Sequence, residues 1–309
     1  MQAIVINAFG GPEVLTLTKL SDPVIGDDEV LIENKAAAVN PIDAKIAAGT
    51  SFVCKKREGD PFPWTLGFDC AGVVIKAGKN SGFSVGDRVA GSAGAPLNPC
   101  AYAQKVALNK DSCVRLDEKI KFDEAAGLIT AGLTAISIVN MLPDGCERVF
   151  VAGGSGGVGH LLIQYLKAKG YYVAASCSES HIMDIEDDVD CAVDYKKELP
   201  DDFAGSFDVV VDMPGGDAGI ALYPLLKKDG LLITVPSITE DKVKAACPQG
   251  MHCEGVHCVR SQENYQTLFE YAKEGIVPRI SVRMPLKNAS LAHILIKGGH
   301  TTGKIVLIP

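Results

Sequence analysis

The stretch Arg148–Gly170, "RVFVAGGSGGVGHLLIQYLKAKG", constrains the fold more than any other. An apolar run ends in a glycine cluster, and the cluster opens an amphipathic stretch. Val158, Leu161, Leu162, Tyr165 and Leu166 recur on one helical face, the pattern of a helix that lays an apolar side on a sheet. Gly154, Gly156 and Gly159 hold the spacing G-x-G-x-x-G. That spacing is common by chance and gains force only between a strand and a helix, as here. The first two glycines let the chain turn tightly and let a pyrophosphate approach the backbone, and the third lets helix and strand pack closely. The helix N-terminus adds free N–H groups and a partial positive charge. The sequence therefore predicts a dinucleotide loop made of Gly154, Ser155, Gly156, Gly157, Val158 and Gly159.

Around this loop the chain alternates strand with helix. The pattern predicts strands at 148–153, 171–176, 190–193, 207–212 and 231–235, and helices at 157–169 and 217–228. Alternation at this spacing implies βαβ units and a parallel sheet. "FDVVVDM" and "GLLITV" are unbroken apolar runs, as expected of strands covered on both faces. The first hundred or so residues differ. "MQAIVIN", "EVLIENKAAAVN", "CAGVVIKAG", "GDRVAG" and "AQKVAL" are short β-branched runs separated by Gly, Pro, Asn and Asp, so this part is β-rich. A helix is predicted near Gln262–Glu274, and the closing "KIVLI" is expected to rejoin the β-rich part.

The choice of dinucleotide turns on the end of "YYVAAS". An NAD-preferring site usually places an acid there to accept from the ribose 2′-OH. Here Ala175, Ser176, Cys177 and Ser178 come first, and the nearest acid is Glu179. Small hydroxyl residues make room for a 2′-phosphate, and Tyr195, with Lys196 and Lys197 beside it, can reach the same place. NADP(H) is the expected cofactor. The alternative is that Ser176 merely ends a strand.

Composition excludes several function classes. Net charge is −8, which argues against a broad nucleic-acid or anionic-membrane surface. No basic, apolar leader opens the chain, and the expectation is a cytoplasmic protein. Ala125–Leu142 is eighteen residues without a charge, near the lower limit for a membrane span. Its two Gly, two Thr, Ser and Asn favour a buried helix, or two short ones. Ten cysteines include no CxxC pair, so free thiols are expected. "CPQGMHCEGVHC" brings two histidines among thiols, but at no spacing that zinc chemistry explains, and "GVHCVR" reads as a short strand.

The motifs "MQAIVINAFGGPEVLTL", "AAAVNPIDAKIAAG", "GFDCAGVV", "GDRVAG", "AAGLITAGLTA", "AGGSGGVGHLLIQYLKAKG" and "GHTTGKIVLIP" occur in one order. Together they resemble the medium-chain dehydrogenase/reductase superfamily, and within it the zinc-independent quinone oxidoreductase (zeta-crystallin-like) branch. The resemblance implies an α/β fold: a GroES-like β-rich catalytic domain, discontinuous in sequence (1–123 and 279–309), around a Rossmann doubly wound parallel sheet domain (124–278). It implies an active site in the cleft, with Asn40 and Asp43 near the nicotinamide, Thr130 beside its carboxamide and the Val235 backbone along its side. A zinc enzyme of the superfamily would carry Cys near Asn40 and a His-Glu pair at Phe68 and Asp69. Phe68 cannot bind zinc. The four-cysteine lobe is also missing, since only Cys100 and Cys113 fall in that region, with twelve residues between them. No metal is expected.

The resulting expectation is NADPH-dependent hydride transfer to a quinone or α,β-unsaturated carbonyl, with Asn40 orienting the substrate. The competing reading is an NADP(H)-binding protein with little turnover, a sensor or structural protein. Asn40-Pro41 and Asp43 could equally shape a turn. Many members carry a Tyr shortly after this Asn; "PIDAKIAAG" has none, so solvent is the expected proton source. His160 is read as packing, Trp64 as cleft border or core edge, Asp212 as cofactor neighbour or turn former, and His300 as a further candidate for the 2′-phosphate. A homodimer through the sheet edge near "VHCV" is the expected assembly.

Overall fold

A computed structural model of the chain describes residues 1–94, 98, 100–299 and 301–309. They divide into two compact units, Met1–Thr130 with Arg260–Pro309, and Ala131–Val259.

The unit Ala131–Val259 is built on a parallel sheet of six strands: Arg148–Ala152, Tyr172–Cys177, Cys191–Asp194, Phe207–Asp212, Leu226–Thr234 and His252–Gly255. Numbered in that order, they lie 3-2-1-4-5-6 across the sheet. The first strand is central, with Phe150 opposite both Ala174 and Val210. Its unbroken apolar run fits this place, since side chains on both of its faces, Val149 to Ala152, are buried. Phe150, Phe203 and Phe207 pack edge to face, with ring centroids 5.1 to 6.0 Å apart. The strand order reverses beside the first strand, and the crevice outside the carboxyl ends at such a point is where open α/β sheets take ligands. The glycine loop leaves the first strand there.

Two local expectations are corrected. The helix foreseen over 217–228 is only Gly216–Ile220, followed by a 3-10 turn at Tyr223–Leu225 and a strand from Leu226. Pro224 has no N–H to give a helix, and its ring would clash with the preceding turn. The strand foreseen at "GVHCVR" is instead His252–Gly255, paired from Leu231–His252 to Thr234–Gly255. The partner strand stops at Thr234, so residues beyond Val256 have no ladder to join.

The other unit is largely antiparallel. Across its main sheet lie Ile280–Pro285, Lys304–Ile308, Glu29–Val39, Asp69–Ala77, Arg88–Ser92 and Cys113–Arg115, and Lys105–Asn109 also pairs with Glu29–Val39. The last strand of the chain pairs antiparallel with Glu29–Val39, with Ile305 opposite Val39. Chain-terminal and chain-initial residues thus share one core, in which Ile32, Val39, Cys70, Val89, Ile305 and Leu307 are all buried. Gln2–Ile6 forms a second, three-stranded sheet with Thr16–Lys19 and Trp64–Thr65. The apolar stretch noted in the sequence is one helix, Phe122–Val139, and 72% of it is buried.

Candidate active site

The strand Glu29–Val39 delivers Asn40 to the start of the helix Pro41–Ala47. Proline at the first helical position suits this start, where no N–H is needed. Asp43, in the first turn, accepts the backbone N–H of Asn40 at 2.8 Å, while its own N–H goes back to the Asn40 carbonyl at 3.0 Å. The turn-forming role foreseen for Asp43 is therefore present. Asp43 is nonetheless 0% exposed, and its Oδ1 has no hydrogen-bond partner. Tyr102 donates to its Oδ2 at 2.9 Å. Burial pushes the Asp43 carboxyl up to about 7, against the Asn40 N–H bond and with help from the Asp69 charge.

The Asn40 side chain is held at both ends. Its Nδ2 donates to Asp69 Oδ2 at 2.8 Å, and its Oδ1 accepts from Lys304 Nζ at 2.5 Å. A carboxylate only accepts and an ammonium only donates, so the two neighbours agree on which end of the amide is which. An amide nitrogen carries two hydrogens; the second on Asn40 has no acceptor among the described residues. Asp69, at the start of its strand, also takes the Thr130 N–H at 3.0 Å and the Thr130 hydroxyl at 2.6 Å. A hydroxyl committed as donor to Asp69 can meet a ligand only as an acceptor. His293 Nε2 lies 3.5 Å from the Tyr102 hydroxyl, and burial lowers its pKa to about 4. Gly67, at φ +83°, leaves room for Tyr102; a Cβ there would sit 2.2 Å from the ring.

The fold thus gathers Asn40, Asp43 and Thr130 with four residues whose roles the sequence reading missed: Asp69, Tyr102, His293 and Lys304. Asp69 was legible only as a carboxylate at a zinc-ligand position, and Lys304 only as part of "GKIVL".

In the other unit the Gly153 and Gly154 N–H groups both donate to the Ser176 carbonyl, at 2.9 and 2.8 Å. The loop is thereby tied to the end of the neighbouring strand. A Cβ on Gly159 would lie 2.2 Å from the Gly153 carbonyl oxygen, so helix and loop approach as closely as the fingerprint requires. The N–H groups of Ser155, Gly157 and Val158 have no hydrogen-bond partner among the described residues. They lead into the helix Gly159–Ala168. A glycine cradle with unspent donors at a helix start fits a pyrophosphate.

Ser176 is buried and Tyr195 exposed; the Tyr195 N–H donates to the Cys177 carbonyl at 3.1 Å, which brings Tyr195 beside the end of the Ser176 strand. Lys196 lies over the Tyr195 ring and Lys197 pairs with Glu179. Val235 follows the strand end, its N–H on the Asp212 carbonyl. Asp212 spends its carboxylate on the Gly215 N–H (2.7 Å) and the Thr234 hydroxyl (2.8 Å), a turn-forming role. His160 packs with Nδ1 2.7 Å from the Gly156 carbonyl. Trp64 is buried against Phe9 and under Arg57. His300 lies outside the described residues.

Residues 26–138 match the family described as Alcohol dehydrogenase GroES-like domain, and residues 188–307 that described as Zinc-binding dehydrogenase. A quinone oxidoreductase from Coxiella burnetii has a TM-score of 0.93 and 34% identity, covering 100% of this chain and 99% of that one. An NADPH-dependent alkenal/one oxidoreductase (chloroplastic) from Arabidopsis thaliana is 30% identical over 326 residues, 100% of this chain and 80% of that protein. The chain belongs to the medium-chain dehydrogenase/reductase superfamily, in its quinone oxidoreductase branch. A mycobacterial protein solved with NADPH, 26% identical with a TM-score of 0.82, has the same fold over the full length of both chains.

Within this superfamily, zinc would need three protein ligands. The family resemblance puts Asn40 and Phe68 at positions where two of them would be, and in the structure the Asp69 carboxylate is engaged by Asn40 and Thr130. Among the described residues no three His, Cys, Asp or Glu side chains form a metal-holding group.

Proposed function

We propose that the chain is an NADPH-dependent oxidoreductase that adds hydride to a conjugated carbon of a quinone or an α,β-unsaturated carbonyl, without a metal. The observation that carries this reading is the Asn40 amide, anchored on Asp69 with one N–H left over. Bound NADPH supplies the hydride. The negative charge then spreads onto an enolate or hydroquinone oxygen, which a neutral, preorganised donor can stabilise. Asn40 is that donor. Asp43 supports it through the Asn40 backbone, and solvent completes the reaction with a proton. Thr130, as an acceptor, would suit the carboxamide N–H of the cofactor, and the Val235 backbone would flank the nicotinamide. The loop Gly154-Ser155-Gly156-Gly157-Val158-Gly159 takes the pyrophosphate, while Ser176 and Tyr195 with Lys196 accommodate the 2′-phosphate.

The protein acts in the cytoplasm as a homodimer, pairing along the sheet-edge strand His252–Gly255; light scattering that gives the mass of one chain removes the dimer. The function is tested by nicotinamide fluorescence with NADPH and NADH, then by turnover of p-benzoquinone and methyl vinyl ketone. Tighter NADPH binding with turnover of either acceptor is expected. Binding without turnover favours the sensor or structural reading, and stoichiometric zinc in the purified protein overturns the metal-free mechanism.

A further inference from the structure

Lys304 opens the last strand of the chain and is 4% exposed. Charged lysines are almost never so deeply buried without a partner, because the ammonium loses its hydration. Here Nζ donates to the Val39 carbonyl at 3.1 Å and to Asn40 Oδ1 at 2.5 Å, and makes no direct ion pair among the described residues. The facing charged and titratable groups are Asp43 on the helix Pro41–Ala47, Asp69 on its strand, Tyr102 in the loop before Lys105–Asn109, and His293 on the helix Ala289–Lys297. Burial lowers the Lys304 pKa, while Asp69 and Asp43 oppose the drop. An apolar side chain of similar length would avoid the desolvation cost, so packing alone gives no reason for a cation at this point.

The geometry points to Lys304 as a positioning residue that decides which end of the Asn40 amide is offered to the substrate. With Oδ1 held by a group that can only donate, the amide cannot flip. Asn40 then presents an N–H and never its carbonyl. A positive charge behind the carbonyl also polarises the amide and strengthens its remaining donor. Without Lys304, Asp69 alone orients Asn40. The carbonyl end is then unsatisfied, and the amide can rotate away from the productive arrangement.

This inference rests on Asn40 being the donor to the substrate oxygen, and the experiment separates the two claims. Asn40→Ala, Lys304→Met and the double variant are compared for kcat and KM with p-benzoquinone, for NADPH affinity by fluorescence, and for Tm. The expected result is a fall in kcat of about tenfold or more in each single variant, with KM and NADPH affinity within about twofold. The double variant should be no slower than the slower single one, because residues that act through one another do not add. Losses that multiply, or a Lys304→Met protein with lowered Tm and full kcat well below that Tm, overturn the positioning role. Full turnover in Asn40→Ala sinks the donor reading, and the inference with it. If Lys304→Met does not fold, Lys304→Gln replaces it in the same cycle: its amide is a donor without charge, and an intermediate kcat supports the inference while an unchanged kcat overturns it.

Discussion

The phenol of Tyr102 donates to Asp43 Oδ2 at 2.9 Å, and both side chains are buried to within 1% of their surface. They lie 59 positions apart in the chain. The other carboxylate oxygen, Oδ1, has no partner, which is the arrangement of a carboxyl group better suited to keeping its proton than to losing it.

That arrangement makes stability depend on pH with a definite sign. The folded carboxyl, raised to about 7 by burial, holds a proton that the unfolded chain releases near 3.8. The native state binds more protons across that window, so this group's contribution to stability falls as pH rises from about 4 to about 7 and levels off above. Asp43→Asn mimics the protonated form and removes the dependence. Between about pH 5 and pH 8, wild type should lose on the order of 2 kcal/mol relative to Asp43→Asn in urea unfolding. Parallel curves for the two proteins would place the titration elsewhere.

The glycine loop yields a contrast between two alanine substitutions. In Gly159→Ala the new methyl meets backbone, the Gly153 carbonyl oxygen at 2.2 Å, and neither partner can move without disturbing the loop. In Gly156→Ala the nearest atom is 3.4 Å away. The first change should cost about 2 kcal/mol or more and abolish cofactor binding. The second should leave Tm nearly unchanged and weaken NADPH by crowding the pyrophosphate. Thermal melts and fluorescence titrations read both; equal Tm losses would contradict the close approach at Gly159.

Cofactor preference should be reversible at one position. Ser176→Asp places a carboxylate where a ribose 2′-OH could donate and where a 2′-phosphate would be repelled. The ratio of NADH to NADPH affinity should rise at least about tenfold, a change of ~1.4 kcal/mol. Tyr195→Ala should weaken NADPH alone. If NADH and NADPH respond alike to both changes, the 2′-phosphate lies elsewhere.

Asp69 joins three donors, the Asn40 amide, the Thr130 N–H and the Thr130 hydroxyl. Asp69→Ala removes the acceptor these donors share, and a buried donor left without one costs about 1–3 kcal/mol. A loss of roughly 3 kcal/mol is expected by chemical denaturation, with Asp69→Asn, which keeps one acceptor oxygen, losing about half as much. An Asp69→Ala protein as stable as wild type would mean that the network is not closed in solution.

The glycine loop and its strand–turn–helix setting were readable because every residue involved lies within a short run, and local sterics decide what that run can do. The apolar strands "RVFVA" and "FDVVVD" were readable for the same reason: burial on both faces leaves no alternation. The helix over 217–228 failed at Pro224, where a local rule outweighed the apparent pattern. Strand pairing at His252–Gly255 was set by where the neighbouring strand ends, a fact no short stretch carries. The buried network was the least legible part. Asn40 and Asp43 stood out through their motif, but Lys304 lies 264 residues from Asn40 and His293 191 residues from Tyr102.

By itself, then, the chain's sequence determined the doubly wound sheet and the glycine-rich strand–turn–helix that leaves its central strand, both consequences of side-chain type at local spacing. Only the tertiary structure decided that a lysine from the last strand and an aspartate from the sheet would grip the two ends of one amide. Hydrogen bonds of that kind depend on distance in space. The antiparallel pairing of Lys304–Ile308 with Glu29–Val39, which brings Lys304 to Asn40, sets that distance.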